Sequence, residues 1–203
     1  MNMKKIILAS GSPRRHELIN LIGIQHEVIP CKEEEKELRS SRTIEEVLLE
    51  VAYQKILCVE ASLPDEKKAN SLIIGADTTV VLRGEVIGKP KNRDEAIAML
   101  KKILGNIHEV YTGICILDTN TKRLVSGVEK TLVSMVALSD EKIATYVDNE
   151  FVIDKAGAYA IQGIGAALID RIEGCFYNVM GLPLNRLVTM LTSLGFEFLT
   201  PKS

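Results

Sequence analysis

The chain carries no marked excess of charge of either sign. Lysine and arginine number 25 against 27 acidic residues, a net charge of −2. Broad nucleic-acid binding rests on neutralising many phosphates, so that class is set aside, while a local basic pocket for one small polyphosphate is not. Long apolar runs are lacking too, and none approaches the length of a membrane span. The first apolar stretch, "IILA", is too short for a signal peptide and leads into a helix start, so no membrane partner and a cytoplasmic location are expected. The cysteines Cys31, Cys58, Cys115 and Cys175 form no C-x-x-C. No zinc or redox motif is indicated, and free thiols in a reducing compartment are expected. His16, His26 and His108 form no H-x-x-x-H pair. There is no G-x-x-x-x-G-K-[ST] phosphate loop. Gly163-x-Gly165 fails as a dinucleotide fingerprint, because Leu168 stands where the third glycine belongs. Internal repeats, low-complexity tracts and linkers are absent.

What is present is a globular composition. The 203 residues are 46% hydrophobic and 26% charged, enough for one sizeable core or for two compact lobes sharing it. Residues 4–9 read as a strand, 10–12 as a loop and 13–22 as a helix, with Ser12 at the N-cap and Pro13 at the first helical position. "HEVIP" predicts a second strand. Thr43 and Glu46 have capping-box spacing and open a helix to about residue 60. "LPDEKKANS" reads as a polar loop, and "LIIGA" as a buried strand ending at Asp77. "TTVVL" and "EVIGK" flank a tight turn at Arg83-Gly84. Asn92 and Glu95 open another helix, Ser139 a short one, and "PLNRLVTMLTSLG" is a last amphipathic helix. "EVYTGICIL" and "VEKTLVSMVAL" are long strands. Alternating strands and helices followed by successive strands predict a mixed α/β sheet, elongated or bilobed with a central cleft.

Several features converge on anions and metal. Arg14 and Arg15 lie in the first turn of a helix, where cations work against the helix dipole. A bound anion would reverse that, and Ser10 and Ser12 would add hydroxyls to the cradle. A surface cap with two solvated arginines is the alternative. Lys55 lies on or beside the stripe formed by Leu48, Val51, Ala52, Ile56 and Val59; it either snorkels to water or points at negative charge. Asp77 follows Gly75 and Ala76 at the end of a buried strand, a good place for a magnesium ligand or a base, although a turn aspartate is common there. Lys89 in "GKP" is a strand-end lysine. Gln162, between turn glycines, either reads a base edge or satisfies its own turn. Glu33, Glu34 and Glu35 offer a second carboxylate, although most such runs are solvated loop.

In this order, "LASGSPRR", "VAYQK", "IIGADTTVVL", "GKP", "VYTG", "DKAGAYAIQG" and "VMGLPL" resemble the Maf family of nucleoside triphosphate pyrophosphatases, over nearly the whole chain. The resemblance implies a single domain, 1–203, with an inosine triphosphatase-like (Maf/Ham1-like) α/β fold, often homodimeric. It implies hydrolysis of a nucleoside triphosphate to its monophosphate and pyrophosphate with a divalent cation, Mg²⁺ or Mn²⁺. Asp77 would be the proton acceptor and a metal ligand, with Glu35 as the best-spaced second ligand. Lys55 and Lys89 would join it in catalysis. Ser10, Ser12, Arg14 and Arg15 would face the phosphates. Arg14, Thr78 and Gln162 match the positions that sort substrates, and together resemble the dTTP/UTP branch rather than the 7-methyl-GTP branch. Gly88 departs from the pattern, which often has Glu before the lysine. Two alternatives stand beside this: a nucleotide-binding regulator without turnover, in keeping with the family's link to septum formation, and a pyrophosphatase for modified purine nucleotides.

Overall fold

In the computed structural model, residues 4–32 and 42–199 are described. The strands are β1 (Lys5–Leu8), β2 (Glu27–Val28), β3 (Ser71–Leu82), β4 (Glu85–Ile87), β5 (Ile107–Asp118), β6 (Leu124–Met135) and β7 (Ile169–Glu173). The helices are α1 (Pro13–Leu21), α2 (Ile44–Ser62), α3 (Asp65–Lys68), α4 (Arg93–Ile103), α5 (Asp140–Asn149), α6 (Phe176–Met180) and α7 (Leu184–Ser193). The seven strands form one mixed sheet in the order β2-β1-β3-β5-β6-β7, with β4 paired to β3. β1 runs parallel to both β2 and β3, whereas the β3–β4 and β6–β7 pairs are antiparallel. The fold is therefore the mixed α/β class that the alternation of elements predicts.

Local chemistry explains the element boundaries. Thr43 accepts from the Glu46 amide at 3.2 Å while the Glu46 carboxylate accepts from the Thr43 amide at 2.9 Å, closing the capping box that starts α2. Asn92 caps α4 and Ser139 caps α5 through their side chains. Arg83 and Gly84 have φ of 52° and 83°, as a two-residue hairpin turn between antiparallel strands requires.

The chain forms two compact units. The first comprises the described residues of Met1–Asp77, Thr112–Glu129 and Gly181–Ser203; the second comprises Thr78–Tyr111 and Lys130–Met180. One core in the first unit gathers Ile7, Ala9, Ala52, Ile56, Val59 and Ile73, with Cys115 and Leu117. In the second unit, Leu100, Ile103, Val110, Val133, Ile143 and Tyr159 are central. Within the first unit, α2 lies unusually close to the sheet. A Cβ on Gly75 would stand 2.0 Å from the Ala52 carbonyl oxygen, and one on Gly113 would stand 2.8 Å from Leu48 Cβ. Glycine at both positions is what allows this approach.

Four expectations change. Cys31 and Cys58 are not free thiols but a disulfide with Cα atoms 5.7 Å apart, while Cys115 and Cys175 are free. Spacing along the chain gives no sign of this pairing, which arises because α2 brings Cys58 back beside the segment after β2. The "LIIGA" strand does not end at Asp77: β3 continues to Leu82, because β4 and β5 keep it paired after β1 has left. β4 ends at Ile87, so Lys89 lies beyond the strand. The polar loop after α2 includes the helical turn α3, with the acidic side chains Asp65 and Glu66 in its first turn and Lys67 and Lys68 in its last, as the helix dipole favours. Among the described residues, no helix is long and apolar enough to cross a membrane.

Candidate active site

The first unit contains a topological switch. From β1 the chain passes through α1 to β2 on one side, then through α2 to β3 on the other. In α/β sheets such a point, at the carboxyl ends of the parallel strands, is where ligands collect. The β1–β3 register pairs Leu8 with Ile74, and the Ala9 amide donates to the Ile74 carbonyl at 2.8 Å. The segments beyond those residues, Ser10–Arg15 and Gly75–Asp77, therefore leave the parallel pair at the same end.

On the β1 side, Ser12 is the N-cap of α1 with φ −74° and ψ 115°, yet its hydroxyl makes no capping bond, and the first turn holds no acidic side chain. The orphan amides of that turn are available to an anion. Arg14 is half-buried and has no hydrogen-bond or ion-pair partner among the described residues. Arg15 is different. It is 8% exposed, its Nε donates to the Gly181 carbonyl at 2.9 Å, and its Nη1 donates to Ser10 Oγ at 3.0 Å. Ser10 is buried and its Oγ also accepts from the Ser12 amide at 3.3 Å.

On the β3 side, α2 delivers Lys55 from the flank of its buried stripe. The ammonium does not snorkel away. It donates to Asp77 Oδ1 at 2.7 Å and to the Ala76 carbonyl at 3.4 Å. The Asp77 side chain keeps 25% of its surface exposed, and its Oδ2 has no partner among the described residues. The pair thus presents an oriented carboxylate with one oxygen open.

The second unit carries three more of the expected residues. Thr78 is half-buried and follows Asp77 in β3. Lys89 is exposed, without a partner among the described residues. Gln162 is exposed and precedes the 3₁₀ turn Gly163–Leu168. Its loop is anchored by Tyr159, whose hydroxyl lies 2.7 Å from His108 Nε2 in the buried interior. In the same unit Glu109, Tyr111 and Lys130 form a cluster that sequence reasoning did not find. The Tyr111 hydroxyl donates to Glu109 Oε2 at 3.0 Å, and the bond from Lys130 holds the Glu109 carboxyl below its ordinary range. The alternation of Glu109 and Tyr111 along β5 was the available signal. Glu33, Glu34 and Glu35 lie outside the described residues.

Among the described residues, no group of three or more His, Cys, Asp or Glu is placed to hold a metal. Asp77 offers one hard oxygen donor. Mg²⁺ is commonly held by one or two carboxylates together with substrate phosphates, so this donor chemistry fits a metal that arrives with a triphosphate.

Comparison with known proteins gives a consistent result. A family model described as Maf-like protein matches residues 5–194. A protein of Caldicellulosiruptor bescii named dTTP/UTP pyrophosphatase is 47% identical over 197 residues, covering 97% of this chain and 98% of that one. A protein of Acetivibrio thermocellus with the same name is 45% identical over 199 residues, with coverage of 97% and 98%. A solved HAM1 protein from Coxiella burnetii superposes with a TM-score of 0.52 at 14% identity, covering 94% of this chain and all of that one, a likeness of fold.

Proposed function

The chain belongs to the Maf family, and from that premise we propose that it hydrolyses dTTP and UTP to the nucleoside monophosphate and pyrophosphate. The observation that carries the reading is the Lys55–Asp77 pair, 2.7 Å apart, at the same end of the parallel strands as a helix start without a side-chain cap, bearing an Arg14 that has no partner among the described residues. Lys55 fixes Oδ1 of Asp77 and leaves Oδ2 to orient a water and take its proton. The water oxygen bonds to the α phosphorus, and the bridging oxygen leaves with pyrophosphate. Ser12, Arg14, Lys55 and Lys89 offset the charge that develops on the phosphates and leaving group. Asp77 and a carboxylate of the 33–35 run, Glu35 by spacing, would hold Mg²⁺ or Mn²⁺, which supplies further neutralisation of phosphate oxygens.

Arg14, Thr78 and Gln162 match the triplet expected of the dTTP/UTP branch, and the names of the relatives support the same substrates. Gln162 can donate to a carbonyl and accept from the N3–H on a pyrimidine pairing edge. The whole chain, 1–203, acts in this reading as one cytoplasmic, homodimeric domain without a nucleic-acid or membrane partner, in keeping with its net charge of −2. The test is pyrophosphate release from a panel of nucleoside triphosphates with Mg²⁺ or Mn²⁺, beside Asp77→Asn. Turnover of dTTP and UTP is expected, and it should fall by roughly 10²–10³ in the variant, the loss typical of one electrostatic contact to the transition state. Turnover of modified purine nucleotides alone would sink the triplet. Tight nucleotide binding with no turnover would favour a regulator.

A further inference from the structure

We propose that Arg15 is a positioning residue for the phosphate cradle rather than a phosphate ligand, so that the two adjacent arginines divide their work; this rests on the pyrophosphatase reading above. The side chains differ in every respect that matters. Arg14 is half-buried and without a partner among the described residues, free to meet an incoming anion. Arg15 is 8% exposed, and two of its donors are committed to protein acceptors, the Gly181 carbonyl at 2.9 Å and Ser10 Oγ at 3.0 Å. A buried guanidinium is tolerable only while hydrogen-bonded. Turning it toward a phosphate would break both bonds and cost the hydrogen-bond energy of two buried contacts.

The acceptors explain what the brace does. Gly181 has φ of 112°, a backbone state that disfavours any other residue, and it presents its carbonyl to Arg15 Nε. Ser10 Oγ takes the other bond and also accepts from the Ser12 amide at 3.3 Å. The rigid guanidinium fork therefore connects the segment that precedes α7 to the turn that precedes α1, and fixes Ser12, whose hydroxyl is not used for capping. A lysine could keep the charge there but not the fork. A ligand role depends mainly on charge; a brace depends on shape.

The experiment uses that distinction. kcat and KM for UTP, and the inhibition constant for inorganic pyrophosphate, are measured for Arg14→Ala, Arg14→Lys, Arg15→Lys, Ser10→Ala and the Ser10→Ala/Arg15→Lys double variant, with thermal melting alongside. Arg14→Ala should raise KM and weaken pyrophosphate inhibition, and Arg14→Lys should recover most of both. Arg15→Lys keeps its charge yet should lower kcat by roughly 10–100-fold, the scale of a small misplacement of reacting groups, with little change in pyrophosphate inhibition. Ser10→Ala should lower kcat in the same direction. The double variant should fall well short of the product of the two single effects, because both changes remove the shared Arg15–Ser10 contact. Near-wild-type kcat in Arg15→Lys, or effects of the two changes that multiply, would overturn the brace. If Arg15→Lys fails to fold, Ser10→Ala decides, since an unchanged kcat there overturns the proposal by itself. A wild-type protein that releases no pyrophosphate would defeat the pyrophosphatase reading and this role with it, whereas an active wild type with any of the overturning results defeats the role alone.

Discussion

The first unit carries a lysine–aspartate pair at each end of its strands, and the two pairs differ in how completely they are satisfied. At the start of β1, Lys4 donates to Asp118 Oδ2 and to the Leu194 carbonyl, both at 2.6 Å. The other oxygen of Asp118 accepts the amides of Asn120 at 2.9 Å and Thr121 at 3.3 Å. Its side chain is 4% exposed. Across the length of the parallel pair, Lys55 binds Asp77 at a nearly equal distance, 2.7 Å, yet the Asp77 side chain is 25% exposed and has one oxygen open among the described residues. Residue type and separation are the same in both. What separates a structural ion pair from a candidate catalytic one is the open oxygen, because a fully bonded carboxylate has nothing left for water or metal.

The largest expected effect comes from neutralising each aspartate in turn. Asp77→Asn should nearly abolish turnover while leaving the denaturation midpoint close to wild type. Asp118→Ala strands a half-buried lysine and two amides, and should cost about 3 kcal/mol of stability, with kcat per folded molecule unchanged. Denaturant melts and kinetics on both variants check this. Stability lost at Asp77, or turnover lost at Asp118 in still-folded protein, would erase the distinction between the two ends.

A smaller effect tests how Lys55 reaches its partner. The seat of α2 on Gly75 and Gly113 sets the height of the helix above β3 and β5, and there is no room to spare at either glycine. Gly113→Ala should push Leu48 outward, cost about 1–3 kcal/mol as overpacking does, and lower kcat as Lys55 is displaced from Asp77. Gly75→Ala should be worse, since its Cβ would stand 2.0 Å from the Ala52 carbonyl oxygen, whereas one on Gly113 would stand 2.8 Å from Leu48 Cβ and 2.9 Å from the Leu48 backbone carbon. Stability loss without any kinetic change would mean that Lys55 can follow its helix without losing Asp77.

Much of this was legible in the chain, and the limits have physical reasons. Capping residues act within a few positions, so Thr43–Glu46, Asn92–Glu95 and Ser139 announce α2, α4 and α5 correctly. The turn at Arg83-Gly84 is equally local. Lys55 beside an apolar stripe left two outcomes open, because periodicity places a residue on a helix face but cannot say what lies opposite. The Cys31–Cys58 disulfide depends on where α2 returns, and the commitment of Arg15 to Gly181 spans 166 positions. Neither leaves a trace in local spacing. The extension of β3 past Asp77 was missed for a related reason: small residues at 75–77 look like a strand end, when they mark where β1 stops and α2 approaches.

Acid should expose the remaining contrast, between the saturated pair of the first unit and a buried histidine of the second. Burial pushes the Asp118 carboxyl up, but the bond from Lys4 and the two backbone amides outweigh it and hold the group below its ordinary value of 3.8. Its contribution to stability is therefore present above that value and lost as pH falls through the lower folded one. His108 is 1% exposed, and its Nδ1 has no partner among the described residues. Burial lowers its pKa from 6.5 to about 4. The unfolded chain takes up this proton first, so stability falls as pH drops from 6.5 towards about 4. Between about pH 7 and pH 5 the loss should come to roughly 2 kcal/mol. His108→Gln can keep a hydrogen bond to Tyr159 without titrating, and should flatten that interval. Asp118→Asn should leave that interval sloping and remove only the part below its ordinary carboxyl value. Chemical denaturation across pH for the two variants separates these effects. If His108→Gln retained the full slope while Asp118→Asn lost it, the saturated pair and not the buried ring would set the acid limit of the fold.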